Sequence, residues 1–233
     1  MRTRSLELEV LDDPNVPPEE LLAALNFMAW VNRRLGGTQA ILDFFEKNPT
    51  PQEFSVLDLG FGAGDIPYAL VEWAKSKGKK VSVTAIDLNP FCVAHAVKNY
   101  TAPGLRFMEH SAFDIETLGS FDYMTSSMFF HHLPDEQIVQ LLQRMDKNAR
   151  RGFIVNDLYR GYLNYAGAFL LGALSFRRII FNDAKLSVKR AFKEQNLEHY
   201  RDKSGLKNLK IERKPVFRIT LSCHCERSEA IYA

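Results

Sequence analysis

The chain has 233 residues, 46% of them hydrophobic and 25% charged, with a formal net charge of +2. These values suit one soluble α/β domain with a substantial core, and they give no ground for nucleic-acid binding. The charge is uneven: residues 185–218 carry eleven Lys/Arg against four Asp/Glu, a basic stretch that suits either an anionic partner or membrane surface, or simply solvated helix and strand faces.

In chain order, residues 1–18 read as a loose, flexible N-terminus, broken by Pro14, Pro17 and Pro18. A helix is predicted from Pro18 or Glu19 to Leu35, with Leu21, Leu22, Leu25, Met28, Ala29 and Asn32 on one face, stopped by Gly36 and Gly37. A second helix runs from about Thr38 to Glu46, and together the two form an N-terminal helical cap over residues 19–50. Ser55 to Leu59 is the first strand. Val81 to Ile86 is the second, closed by Asp87, and a helix starts at Pro90. Leu105 to Glu109, Phe121 to Ser127 and Gly152 to Asp157 read as three further strands, with a helix from Pro134 to Met145. Tyr162 to Phe176 is an apolar, aromatic helix; Ile179 to Val188 is mixed, and Lys189 to Asp202 looks helical. Leu206 to Arg213 and Val216 to Ser222 form a terminal antiparallel pair. The alternation predicts a doubly wound, mostly parallel seven-stranded sheet, Rossmann-like, with the last strand antiparallel.

The chain is organised around Val56-Leu57-Asp58-Leu59-Gly60-Phe61-Gly62-Ala63-Gly64-Asp65. An aliphatic strand followed by alternating glycines lets the backbone turn tightly against a cofactor. Asp65 follows the third glycine at the helix start, where it would repel a pyrophosphate. That disfavours a dinucleotide and suits a cationic cofactor. Asp87, at the end of the second strand, is placed to accept ribose hydroxyls or to cap the helix at Pro90. Asp157 ends the fifth strand in the same crevice, where it either positions a substrate or caps a helix.

The ordered motifs resemble the class I S-adenosylmethionine-dependent methyltransferases, in the small-molecule branch near the ubiquinone/menaquinone and polyketide-associated enzymes. The first motif is Val56 to Gly64 and the second is Val83-Thr84-Ala85-Ile86-Asp87-Leu88-Asn89-Pro90. Phe107 to Ile115 corresponds to the third and Phe121 to Leu133 to the fourth. The resemblance covers roughly residues 20 to 222. It implies cofactor contacts from Asp58, Gly60, Gly62, Gly64, Asp87, Leu88, Ser111, Ala112 and Ser127. Ser111 stands where the family usually has an acid near the adenine.

The acceptor should lie beyond strands four and five. His132 and His131 are the candidate bases there, each weighed against a structural role, and Asp157, Tyr159, Arg160, Tyr165 and Phe169 are the candidate substrate contacts. The aromatic segment, residues 160–188, is read as an acceptor wall for a small, lipophilic or phenolic molecule methylated at oxygen. The alternatives are C- or N-methylation and a non-catalytic S-adenosylmethionine-binding protein. No nucleic-acid partner is expected, and membrane contact should be peripheral at most. The chain should act as a monomer or homodimer. Cys92, Cys223 and Cys225 form no disulfide framework and no metal-site spacing, so no metal is expected. The acidic N-terminus and the absence of a long apolar run predict a cytoplasmic protein. Residues 223–233 do not look like the end of this fold and are read as a dispensable tail.

Overall fold

The computed structural model describes residue 1, residues 3–13 and residues 15–224. Pro14 and the part of the tail from Cys225 to Ala233 lie outside the described residues. Two helices, α1 (Pro18–Arg34) and α2 (Gly37–Lys47), precede the first strand. The alternating core follows: β1 (Glu53–Leu59), α3 (Asp65–Ser76), β2 (Lys80–Asp87), α4 (Pro90–Asn99), β3 (Leu105–Glu109), β4 (Phe121–Ser127), α5 (Asp135–Asn148) and β5 (Ala149–Leu158). The chain ends with α6 (Tyr162–Leu174), α7 (Arg178–Arg190), α8 (Glu194–Ser204), β6 (Lys210–Lys214) and β7 (Arg218–His224).

The seven strands form one sheet in the order β3-β2-β1-β4-β5-β7-β6. β1 to β5 run parallel, and β7 pairs antiparallel with both β5 and β6. The doubly wound sheet with an antiparallel last strand is as the sequence predicts. β1 shows why it is buried on both faces. Phe54 and Val56 pack with α2 and α3, while Leu57 and Leu59 pack with α5 and α8. Because side chains alternate along a strand, Asp58 falls on the α2–α3 face at the carboxyl end. The chain leaves β1 toward β2 and β3, then crosses back to β4. This reversal opens a crevice beyond the carboxyl ends of β1 and β4.

Three boundaries differ from the sequence expectation. Residues 178–190, read as mixed and then as the start of another helix, form α7. Its buried positions, Ile180, Asp183, Ser187 and Val188, keep a helical spacing that polar Asp183 and Ser187 hide from a hydrophobic count. Cys223 and His224, assigned to a tail, extend β7, and Cys223 is buried in the core. On α1, Leu22 points outward and Ala24 inward.

The N-terminal stretch, expected to be loose, is laid across α7 and the 3-10 turn Phe130–His132. Arg4 donates to the carbonyls of Arg190, His131 and Leu133 and to Asp135, at 2.6–2.7 Å. The amides of Val10 and Leu11 donate to the two oxygens of Asp183 at 2.9 Å. Glu9 is buried and approaches His131 Nε2 at 3.6 Å, while His131 Nδ1 meets Asp157 at 2.7 Å. Burial disfavours a charged imidazole, but Asp157 and Glu9 outweigh it and push His131 up to about 9.

That raised value makes the strap sensitive to alkali. The stabilisation is complete below the ordinary histidine value of 6.5 and is lost as pH rises through about 9. Chemical unfolding of the wild type should therefore show stability declining from pH 6.5 to 9.5. His131→Gln, which leaves two buried carboxylates uncompensated, should lose about 3–5 kcal/mol at pH 6.5 and show a shallower decline. An unchanged pH slope in the variant would refute the imidazolium pairing.

Candidate active site

The loop after β1 is built by what glycine permits. Gly60 has φ of +67°, and a Cβ there would sit 2.6 Å from the Phe129 ring. The amides of Gly60 and Phe61 donate to the carbonyl of Ile86, holding the loop against β2. Asp87 completes the clasp, accepting from the amides of Gly62 and Asn89 at 2.9 Å each. The loop then enters α3 at Asp65. Its carboxylate stands at the positive end of the helix, the place a phosphate would otherwise take.

Three carboxyl groups thus gather around one loop. Asp58 is fully buried and accepts from Thr125 Oγ1. Burial, with help from Asp65 and Asp87, pushes its carboxyl up to about 7 against the opposing Thr125 hydrogen bond. Asp65, also buried, is raised to about 6, although the Asn32 amide and the charges of Arg33 and Arg218 oppose the shift. Burial raises Asp87 as well, against hydrogen bonds from the Asn89 and Gly62 amides. Concentrated negative charge in a dry site disfavours anions and favours a cation. A cofactor with a sulfonium and an ammonium group fits this donor set.

On the far side of Asp87, Ser111 Oγ accepts from the Phe113 amide at 3.0 Å, and Ala112 is buried beside it. Phe61 packs against Phe107 at 4.9 Å between ring centres, and Leu88 is exposed. Ser127 Oγ accepts from Asn156 Nδ2 at 2.8 Å.

Sequence reasoning missed Arg218, Asn32 and Asn156. Arg218 is 1% exposed; its Nε donates to the Leu35 carbonyl at 3.4 Å, and both terminal nitrogens lack a hydrogen-bond partner. Burial lowers it to about 10, opposed by Asp157 and Asp65. Asn156 Oδ1 is buried and unpartnered too, while its amide reaches the Gly37 carbonyl. The one available signal was strand alternation, which puts Arg218 and Thr220 opposite the core residues Ile219 and Leu221. That Arg218 face is buried only because α1 and α2 fold over it.

The residues expected at the acceptor divide. His131 and Asp157 are buried and bonded to each other, and Asp157 also accepts from the amides of His131 and Leu158. Arg160 is buried and donates to the Ala191 carbonyl and Asn196. In this structure these three brace the end of β5 against the 3-10 turn and the segment after α7. Tyr159 accepts from Arg213 at 2.6 Å, with the guanidinium over its ring. Tyr165 packs with Leu158 and Val188, and Phe169 meets Phe181 edge-on at 5.2 Å.

His132 is different. Its side chain is 27% exposed, and its Nδ1 lies 3.0 Å from Asp12. A carboxylate only accepts, so Nδ1 carries the hydrogen and the neutral ring keeps its lone pair on Nε2. Asp12, held also by Arg190 at 3.1 Å, is lowered to about 2: burial opposes the shift, and His132 dominates the opposing effects. Among the described residues, Glu9, His131 and His132 form a group whose ligand-type atoms lie within 4.8 Å. His131 of that group lies between Glu9 and Asp157.

Residues 56–152 match a family model described as a methyltransferase domain. No curated protein sequence matches the chain. Several solved structures share its fold. Magnesium protoporphyrin IX methyltransferase from Synechocystis PCC 6803, with bound SAH, is 16% identical with a TM-score of 0.57, over 82% of each chain. A SAM-dependent methyltransferase from Aquifex aeolicus is 15% identical with a TM-score of 0.61, over 90% of this chain and 99% of that one. An O-methyltransferase family 2 protein from Planctomyces limnophilus DSM 3776, in complex with apigenin, is 13% identical with a TM-score of 0.62; the match covers 91% of this chain and 62% of that longer one. The matched methyltransferase domain carries the glycine loop, the three acids and β4, and the chain shares the fold of these S-adenosylmethionine-dependent methyltransferases.

Proposed function

We propose that this enzyme transfers the methyl group of S-adenosylmethionine to an oxygen of a small phenolic, lipophilic acceptor. The observation that carries the cofactor side is the trio of carboxyls around one glycine loop, buried Asp58 and Asp65 and half-buried Asp87. The cofactor supplies an activated methyl on a cationic sulfur. In this reading Asp87 takes the ribose hydroxyls, and Leu88, Ser111 and Ala112 border the adenine. Asp58, Ser127 and the amides of Gly60, Gly62 and Gly64 line the remainder, and Arg218, with Asn32, takes the amino-acid carboxylate.

The oxygen preference rests on the Asp12–His132 pair. Asp12 fixes the ring so that Nε2 can accept a phenolic proton as the acceptor oxygen becomes nucleophilic. Tyr159, Tyr165 and Phe169 form the apolar side of the acceptor region. The O-methyltransferase relative bound to apigenin, a phenol, supports this chemistry by analogy. We place the enzyme in the cytoplasm, as a monomer or homodimer; among the described residues no helix is long and apolar enough to cross a membrane.

Calorimetry with S-adenosylhomocysteine tests the cofactor side. Asp58 and Asp65 are charged above about 7 and 6 and become neutral below. Affinity should therefore be highest near pH 8 and fall as pH drops through 6. Asp87→Asn should weaken binding about tenfold or more. Arg218→Met should lower affinity for S-adenosylhomocysteine but not for 5′-methylthioadenosine, which lacks the carboxylate. Tight binding that ignores pH would contradict the carboxylate reading.

The acceptor side is tested by turnover of phenols, alkylresorcinols and pyrones with labelled cofactor. His132→Ala should reduce kcat by roughly 10²–10⁴-fold with cofactor affinity unchanged. Asp12→Asn, which removes the group that fixes the tautomer, should reduce it less. Full activity in both variants would eliminate the base, and methylation confined to amines would eliminate the oxygen preference.

A further inference from the structure

The helix α6 has an unusual surface. Its large exposed side chains, Tyr162, Leu163, Phe169, Leu170 and Leu174, are separated on that face only by alanines. Leu163 is 76% exposed, and Phe176, just past the helix end, is 92% exposed. A helix hydrophobic on its solvent face has no reason to stay that way in water alone. Its inner face is already satisfied: Tyr165 and Ala168 pack with Leu158 and Val188. α7 lies so close that a Cβ on Gly172 would come within 2.9 Å of the Phe181 Cα. The outward residues are thus not needed to hold the helical hairpin.

Two further observations say what covers this face. Phe176 adopts φ of +53°, a region that bulky residues avoid, and the turn uses it to hold the ring outward. It is followed at once by Arg177 and Arg178, both exposed. Residues 161–193 contain six Lys/Arg and one acid. That acid, Asp183, is buried and occupied by the Val10 and Leu11 amides. Arg177 also pairs with Glu20 at 2.9 Å, and Lys185 lies over the Phe181 ring at 3.6 Å. An apolar face with an aromatic tip and a basic flank complements an anionic lipid surface. Acyl chains take the leucines and the ring, and headgroups take the arginines. A second copy fits less well, since a two-fold contact through α6 would set the same arginines near their counterparts.

We propose that the α6–α7 hairpin docks this enzyme peripherally on an anionic membrane surface, with Leu163, Leu170, Leu174 and Phe176 entering the interface. The docking is independent of the acceptor's identity, because it is read from the outer face of α6 and its test involves no turnover. The experiment is sedimentation of the full chain with phosphatidylcholine vesicles, with and without 30–40% phosphatidylglycerol (about a third anionic lipid, to give a clear surface potential). Binding should require the anionic lipid and weaken with added salt. Leu170→Ser/Phe176→Ser should lower the vesicle-bound fraction about tenfold or more, and Arg177→Glu/Arg178→Glu should abolish the preference for anionic lipid. All four positions are exposed, so S-adenosylhomocysteine affinity should be retained and serves as the control for folding. Failure of the wild type to bind vesicles would overturn the proposal. So would binding that the substitutions leave unchanged. A concentration-dependent dimer that Leu170→Ser/Phe176→Ser dissolves, with no vesicle binding, would assign the face to a second copy instead.

Discussion

Gathering Asp58 and Asp65, both buried, with half-buried Asp87 at one end of a hydrophobic sheet is the constraint around which this structure is arranged. Each carboxylate is expensive away from water, and each is raised as a result. The surrounding donors soften that cost without removing it. Thr125 serves Asp58, Asn32 serves Asp65, and the Gly62 and Asn89 amides serve Asp87. A structure that wanted only stability would place apolar side chains at these positions. The unrelieved negative charge makes sense as a site whose remaining partner is a cation. The same constraint explains why the loop glycines open onto Asp65 instead of a bare helix end.

The N-terminal strap answers a second electrostatic demand, on the opposite side of β4. Asp157 is 0% exposed and needs a positive partner; His131 supplies it and in turn draws in Glu9. Through that chain of contacts residues 4–12 become part of the site. Arg4 fixes the carbonyls of the 3-10 turn, and Asp12 reaches the next histidine, His132. The two adjacent histidines therefore have separate duties. The buried one holds the strap, and the strap orients the exposed one.

Local chemistry made some of this visible in the sequence. The aliphatic runs, the glycines after Leu59 and Asp87 at a strand end each obey a short-range rule, and the strand order followed from their alternation with helices. What stayed hidden depends on contacts between residues far apart in the chain. Asp157 and Arg160 stand at the end of β5 as expected, but their internal partners, His131, Ala191 and Asn196, come from distant parts of the chain. Arg218 looked like one more surface charge until α1 and α2 covered it. The strap was concealed by Pro14, Pro17 and Pro18, which break helices but do not prevent an extended segment from packing. Asp183 and Ser187 disguised α7 because its buried face is partly polar, each polar group being matched to the strap.

A net charge of +2 conceals a separation of signs that bears on how the enzyme works. The interior crevice is acidic, and the α6–α7 hairpin is basic. Had the acids been spread over the surface, they would oppose the approach of an anionic boundary. Held inside, they act over short range on the cofactor, while beyond a Debye length of about 8 Å in physiological salt the outer face presents chiefly its own charges. Burial thus lets one small domain hold a cation and display a cationic surface at once. The apolar outer face of α6 then adds what charge alone lacks, since a surface held by arginines only is released by salt, whereas inserted leucines and a ring resist it.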